Sequence, residues 1–64
     1  MLNYNEIMFL KEKMPIKVDM IYDQKCYFGV YVLISDGDLT AITFENDILR
    51  FNDKDNVKFS LKND

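Results

Sequence analysis

Two tyrosines in a long β-prone segment have the residue type and spacing to bind aromatic bases. Tyr27 and Tyr31 fall on one face of a regular strand, with Gly29 between them. Aromatic rings that flank a small residue can stack on bases, and such stacking contributes about 1–3 kcal/mol per base. Lys17 and Lys25 are close enough in the sequence to supply phosphate contacts. The alternative is that these rings fill the second face of the sheet or a contact between subunits.

The residue types needed for catalysis and for metal binding are largely missing. The chain has no histidine, which excludes Ser-His-Asp and Cys-His catalysis, and one cysteine alone does not make a structural zinc site. Cys26 lies in an apolar run and is predicted to be a small buried hydrophobe. Asp36 and Asp38 flank Gly37, a pattern that indicates a turn rather than a catalytic pair of carboxylates. We expect no catalytic residue, no metal and no cofactor, and therefore not an enzyme.

Length and charge limit the class of protein further. The 64 residues form one domain, 1–64, with a small core. A net charge of −3 argues against a strongly basic nucleic-acid binder, although a lysine patch repeated by symmetry could still bind phosphate. The chain has a single cysteine, no basic segment at its start and no apolar run of about 18 residues. These features predict a cytoplasmic protein with a reduced thiol and no membrane span.

The elements that would position these side chains begin with one helix. Asn3 and Glu6 have the spacing of a capping box, and apolar residues recur at helical spacing over residues 4–13. Pro15 ends the helix because the residue before a proline is disfavoured in helical conformation. Phe9 falls outside the apolar stripe, so it is either a surface aromatic or a contact to another subunit.

Five β-strands are predicted after Pro15, with polar turns between them. Alternation of apolar residues places them at 16–22, 26–35, 39–45, 48–51 and 57–61. The second strand is apolar on both faces, and one of them is predicted to carry Cys26, Phe28, Val30, Val32 and Ile34. The predicted inward face of the third strand consists of Thr40, Ile42 and Phe44. The fold class is mainly β, with a short N-terminal helix followed by a five-stranded, strongly bent antiparallel small barrel. A flat sheet of this size would leave two edges and one face uncovered.

Three stretches of the chain carry a family resemblance. They are Phe9-Leu10-Lys11-Glu12-Lys13-Met14-Pro15-Ile16, the mid-strand Gly29, and Ile34-Ser35-Asp36. Together with the order of elements over residues 5–61, they resemble the Sm-like family, of the LSm or bacterial host-factor (Hfq) type. The resemblance implies a helix on a bent barrel that binds single-stranded RNA, with the loop of Asp36, Asp38 and Thr40 facing the bound strand. Other small barrels, of the Src-homology or Tudor kind, share this layout.

The last two strands carry more large apolar side chains than two free sheet edges should expose. The predicted interface residues are Ile48, Leu49, Phe51, Val57, Phe59 and Leu61, with Phe9 as a further candidate. In the Sm-like family the fourth strand of one subunit pairs with the fifth strand of the next. The resemblance therefore implies a homo-oligomeric ring of about five to seven subunits, a heterologous assembly that closes by rotation.

Two functions remain open from the sequence. The favoured one is a non-enzymatic module that binds single-stranded RNA or DNA and acts as a ring in RNA or DNA processing. Its contacts would be stacking on Tyr27 or Tyr31, helped by lysines repeated around the ring. The alternative is a small acidic barrel that binds a basic protein partner. Its bias toward Asn, Lys, Ile and Asp suits an AT-rich viral genome, such as that of a bacteriophage.

Overall fold

A computed structural model gives the fold and describes residues 1–61. One short helix precedes five antiparallel strands in a single sheet of order β4-β3-β2-β1-β5, which confirms the predicted mainly β class. The elements are α1 (Tyr4–Met8), a 3₁₀ turn (Lys11–Lys13), β1 (Ile16–Tyr22), β2 (Lys25–Ser35), β3 (Asp38–Ile42), β4 (Ile48–Phe51) and β5 (Val57–Leu61). Within residues 1–61, no helix has the length and apolarity that a membrane crossing needs.

The N-terminal helix begins where the sequence predicts and ends earlier. The Asn3 side chain accepts from the Glu6 backbone N–H at 2.9 Å, and the Glu6 carboxylate accepts from the Asn3 N–H at 3.0 Å, so the capping box is confirmed. The helix ends at Met8, and the rest of the predicted span consists of a turn at residues 9–10 and the 3₁₀ turn Lys11–Lys13. Ile7 is fully buried and anchors the helix on the core.

A β-bulge at Gly29 changes which side chains of β2 point inward. Val18 pairs with Val30 but Met20 pairs with Tyr27, so β2 contains one extra residue at this point. Tyr27 therefore packs against the core, and Cys26 and Phe28 are exposed. The predictions that the residues from Cys26 to Ile34 alternate on one unbroken face and that the thiol is buried are wrong, because regular alternation stops at the bulge.

The hairpin between β2 and β3 sets the register of β3. Asp36 and Gly37 form the predicted tight turn, both with positive φ, and Ser35 pairs with Asp38. Inward residues of β2 then oppose Leu39 and Ala41, which are fully buried in the core. The predicted inward face of Thr40, Ile42 and Phe44 is therefore wrong. The strand ends at Ile42, and Phe44 lies in the following turn.

The sheet bends so that its two edge strands meet through their side chains. The Phe51 ring of β4 contacts Tyr22 of β1 and Phe59 of β5, with centroid distances of 4.9 and 6.2 Å. No strand pairing joins β4 to β5 among the described residues, so the sheet stays open there. The outer edge of β5 is bridged instead by Leu2, whose N–H and C=O both bond to Phe59, at 2.7 and 2.8 Å.

This packing corrects the argument for a subunit interface. Phe51, Val57 and Phe59 are buried in the core of the single chain, and Leu49 packs partly against it. These apolar side chains are thus packed within one chain, without a second subunit. Of the predicted interface residues, the exposed ones are Ile48, Leu61 and Phe9.

Candidate functional site

A row of side chains crosses four strands on the outer face of the sheet. Lys17 pairs with Tyr31, Tyr31 with Ile42, and Ile42 with Ile48, so these four side chains share one face. Tyr31 is 51% exposed and Ile48 is 65% exposed. Such exposed rings and apolar groups on one face are typical of a binding surface.

The first of two grooves lies on this face at the bulge, and we call it the Gly29 groove. It has a volume of about 290 Å³. It is lined by Lys17, Gly29, Tyr31, Ile42, Thr43, Phe44 and Asn46. The ammonium of Lys17 lies 5.8 Å from the centroid of the Tyr31 ring. The lining contains one cation and no carboxylate, although the Asp19 carboxylate accepts from the Gly29 N–H at 3.1 Å.

Thr43 holds the turn between β3 and β4 that completes the groove. Its backbone N–H donates to the Asp47 carbonyl at 2.9 Å, and its own carbonyl accepts from the Asn46 N–H at 2.9 Å. The Thr43 hydroxyl accepts from the Asp47 N–H at 3.0 Å. This turn presents Phe44 with 88% of its surface exposed.

The second groove lies on the other side of Phe44, and we call it the Phe28 groove. Its volume is about 380 Å³. It is lined by Lys25, Cys26, Tyr27, Phe28, Thr43, Phe44, Glu45 and Asp47. Phe28 is 68% exposed, and the ammonium of Lys25 lies 5.0 Å from the centroid of the Tyr27 ring. This lining has two carboxylates against one ammonium.

The bulge separates the two tyrosines that the sequence places on one face. Tyr27 packs against the core and Tyr31 lies on the outer face, so a joint stacking platform does not form. The two lysines are also divided, with Lys17 over Tyr31 and Lys25 over Tyr27. Each predicted lysine is thus beside a predicted ring, in a different groove.

The predicted loop residues lie outside both grooves. Asp38 is at the hairpin end of β3, and its carboxylate is 3.5 Å from the Arg50 guanidinium. Thr40 is buried and donates its hydroxyl to the Asp38 carbonyl at 3.2 Å, so it has no surface for a ligand. Asp36 is exposed in the turn.

Phe28 and Phe44 were not predicted as site residues. Phe44 stands alone among polar residues, Thr43 before it and Glu45, Asn46 and Asp47 after it, and an isolated aromatic in a polar turn is the sequence signal that marks it. Phe28 could be found only with knowledge of the bulge. Among residues 1–61 no three side chains of a metal-binding type come together.

Comparisons of the chain with known protein families, with curated proteins and with solved structures found no match. The Sm-like resemblance stays a prediction, and the functional argument depends on the geometry of the two grooves.

Proposed function

We propose that this chain is a non-enzymatic module that binds single-stranded nucleic acid at the Gly29 groove. The observation that carries the proposal is the meeting of two exposed rings, Tyr31 and Phe44, with the ammonium of Lys17 in a groove whose lining has no carboxylate. Base stacking tolerates any sequence, because every base has a π-face. The predicted role of Tyr31 and Lys17 is kept, and Phe44 takes the place given to Tyr27.

Each part of the groove suits one part of a nucleotide. A base stacks on Tyr31 or Phe44, and the Lys17 ammonium binds the adjoining phosphate. The Asn46 amide offers both donors and an acceptor to a base edge or a sugar hydroxyl. The Gly29 backbone has no Cβ, which leaves room for the Lys17 side chain to cross it.

The overall acidity of the chain sets the expected strength of binding. A net charge of −3 repels phosphate at a distance, so affinity depends on local contacts and is highest at low salt. One lysine in each groove neutralises about one phosphate, which gives a slope of about −0.7 in a plot of log affinity against log salt. A measured slope that is a whole-number multiple of this value would give the number of Gly29 grooves that one nucleic-acid strand occupies.

Fluorescence anisotropy with labelled oligouridylate and oligothymidylate tests the proposal. Phe44→Ala should weaken binding by about fivefold or more, since stacking on one ring contributes about 1–3 kcal/mol. Phe28→Ala is the matched control, because Phe28 is 68% exposed but lines the Phe28 groove and not the Gly29 groove. Absence of binding at low salt, or an equal loss in both variants, would refute the proposal.

The proposal extends to assembly and setting. The meeting of the edge strands at Phe51 and Phe59 supports a small, partly open barrel of the Sm-like or Src-homology-like kind. A ring of about five to seven copies would bring several Gly29 grooves to one strand of RNA or DNA. Exposed Ile48 on β4, Leu61 on β5 and Phe9 supply apolar surface for it. The setting is RNA or DNA processing in the cytoplasm, where a lone thiol stays reduced.

A further inference from the structure

The first half of β2 has a free edge that borders the Phe28 groove. β3 pairs with β2 only from Tyr31 to Ser35, so the edge of residues 25–30 that faces away from β1 has no strand partner within residues 1–61. The turn held by Thr43 stands opposite this edge, and the Phe28 groove lies between them. A free edge beside a groove is the geometry in which an extended peptide adds to a sheet.

The side chains of the groove have the chemistry that recognises an organic cation. Three rings line it, from Tyr27, Phe28 and Phe44, and two carboxylates accompany them, from Glu45 and Asp47. Aromatic faces attract ammonium and guanidinium groups, and carboxylates add charge and hydrogen bonds to the same ligand. The chain already shows one such contact, because the Lys25 ammonium lies over the Tyr27 ring.

We infer that the Phe28 groove binds an arginine or lysine side chain from an extended, basic segment of a partner protein. The segment pairs with the free edge of β2, and its cation lies against Phe28 and Phe44 with Glu45 and Asp47 as counter-charges. Arginine suits the groove better than lysine, because its planar guanidinium stacks on rings and forms paired bonds with a carboxylate. Lys25 acts as an internal competitor for the same groove.

Charge complementarity favours this partner over nucleic acid at this groove. Two carboxylates in the lining repel phosphate, whereas the Gly29 groove has none. The net charge of −3 also attracts a basic segment at long range. The inference is independent of the proposed nucleic-acid function, since only Thr43 and Phe44 line both grooves.

The test is an NMR titration of the full, ¹⁵N-labelled chain with a capped peptide, Thr-Val-Arg-Val-Thr. The matched probe carries citrulline in place of arginine, which keeps the shape and removes the charge. We expect saturable shifts at the amides of Cys26, Phe28 and Glu45 with the arginine peptide. The citrulline peptide should bind about two- to fivefold more weakly, the effect of an exposed cation–π contact.

Variants assign the effect to the groove. Phe28→Ser and the double change Glu45→Gln with Asp47→Asn should each weaken the arginine peptide by about two- to fivefold. Lys25→Met should strengthen it, and Lys13→Met, which removes the same charge from the 3₁₀ turn, should not. All four alter exposed side chains, so an unchanged amide spectrum elsewhere shows that the fold is intact.

The two binding proposals fail separately. Tyr31→Ala should weaken oligonucleotide binding by about fivefold or more and leave peptide binding unchanged, because Tyr31 lines the Gly29 groove and not the Phe28 groove. Equal affinity for the arginine and citrulline peptides would overturn the inference, as would shifts confined to residues outside the Phe28 groove. The inference would also be overturned if the double change Glu45→Gln with Asp47→Asn left the affinity for the arginine peptide unchanged.

Discussion

Gly29 is the residue on which the outer face depends. Its φ is 65°, in the left-handed region that residues with a Cβ rarely adopt, and its N–H donates to Oδ1 of Asp19 at 3.1 Å. The Lys17 side chain crosses this point, and a Cβ added at Gly29 would lie 3.4 Å from Lys17 Cε. One glycine thus forms the bulge, turns Phe28 outward and lets Lys17 reach Tyr31.

Replacement of Gly29 tests this role. Gly29→Ala should lower the free energy of unfolding by about 1–2 kcal/mol, the cost of the left-handed conformation for a residue with a Cβ. Gly29→Asn should lower the free energy of unfolding by less than Gly29→Ala, because asparagine adopts the left-handed conformation more readily than alanine. Urea denaturation measures both. Equal stability of Gly29→Ala and the parent chain would show that the bulge does not require glycine.

At the scale of the element, the turn between β3 and β4 determines where Phe44 lies. Thr43 is buried and makes three hydrogen bonds across the turn, two through its backbone and one through its hydroxyl. Asn46 within the turn has a φ of 66°, which an asparagine accepts. The turn is therefore fixed from inside, and Phe44 is held at the wall shared by both grooves.

Loss of the Thr43 hydroxyl should loosen this turn. Thr43→Val keeps the shape and removes the acceptor of the Asp47 N–H, so we expect a loss of about 1 kcal/mol in unfolding free energy. Oligonucleotide binding should weaken with it, because Phe44 is less firmly placed. Thr43→Ser retains the hydroxyl and should bind like the parent chain. If the Thr43→Val and Thr43→Ser variants bind oligonucleotide with equal affinity, the hydrogen bond from the Asp47 N–H has no part in positioning Phe44.

Element positions could be predicted from the sequence, and side-chain directions only in part. The bounds of β1, β4 and β5 match the predicted ones, because alternation, Pro15 and the polar turns define them locally. The direction of Cys26 and Phe28 depends on a one-residue bulge that alternation cannot reveal. The inward face of β3 could have been predicted from the sequence, because a two-residue turn at Asp36 and Gly37 makes inward residues of β2 oppose Leu39 and Ala41.

The candidate site was predicted less well than the fold. Lys17 and Tyr31 do meet, because they pair directly across β1 and β2. Tyr27 does not join them, since the bulge lies between the two tyrosines. Phe44 comes to the site through a turn whose conformation depends on the Thr43 hydrogen bonds, a three-dimensional feature with no periodic signal in the sequence.

At the scale of the whole molecule, one chain forms a complete core by itself, and association between copies would use the sheet edges. β4 and β5 are those edges, and their inward side chains Phe51 and Phe59 already pack on each other. The outer edge of β5 is partly occupied, because Leu2 bonds to both polar backbone groups of Phe59. A β4-to-β5 ring pairing must therefore displace Leu2.

Weakening this bridge should promote association if a ring forms through β5. Leu2→Pro removes the N–H that bonds to the Phe59 carbonyl at 2.7 Å, whereas Leu2→Ala keeps both backbone bonds and loses only side-chain packing. Loss of a hydrogen bond worth about 1 kcal/mol should lower, roughly fivefold, the protein concentration at which β5 pairs with a neighbouring subunit. We expect light scattering to show larger assemblies for Leu2→Pro than for Leu2→Ala at equal concentration, and Ile48→Lys on β4 to reverse the difference. Monomers throughout, for the parent chain and for Leu2→Pro alike, would eliminate the ring and leave each Gly29 groove to bind its ligand alone.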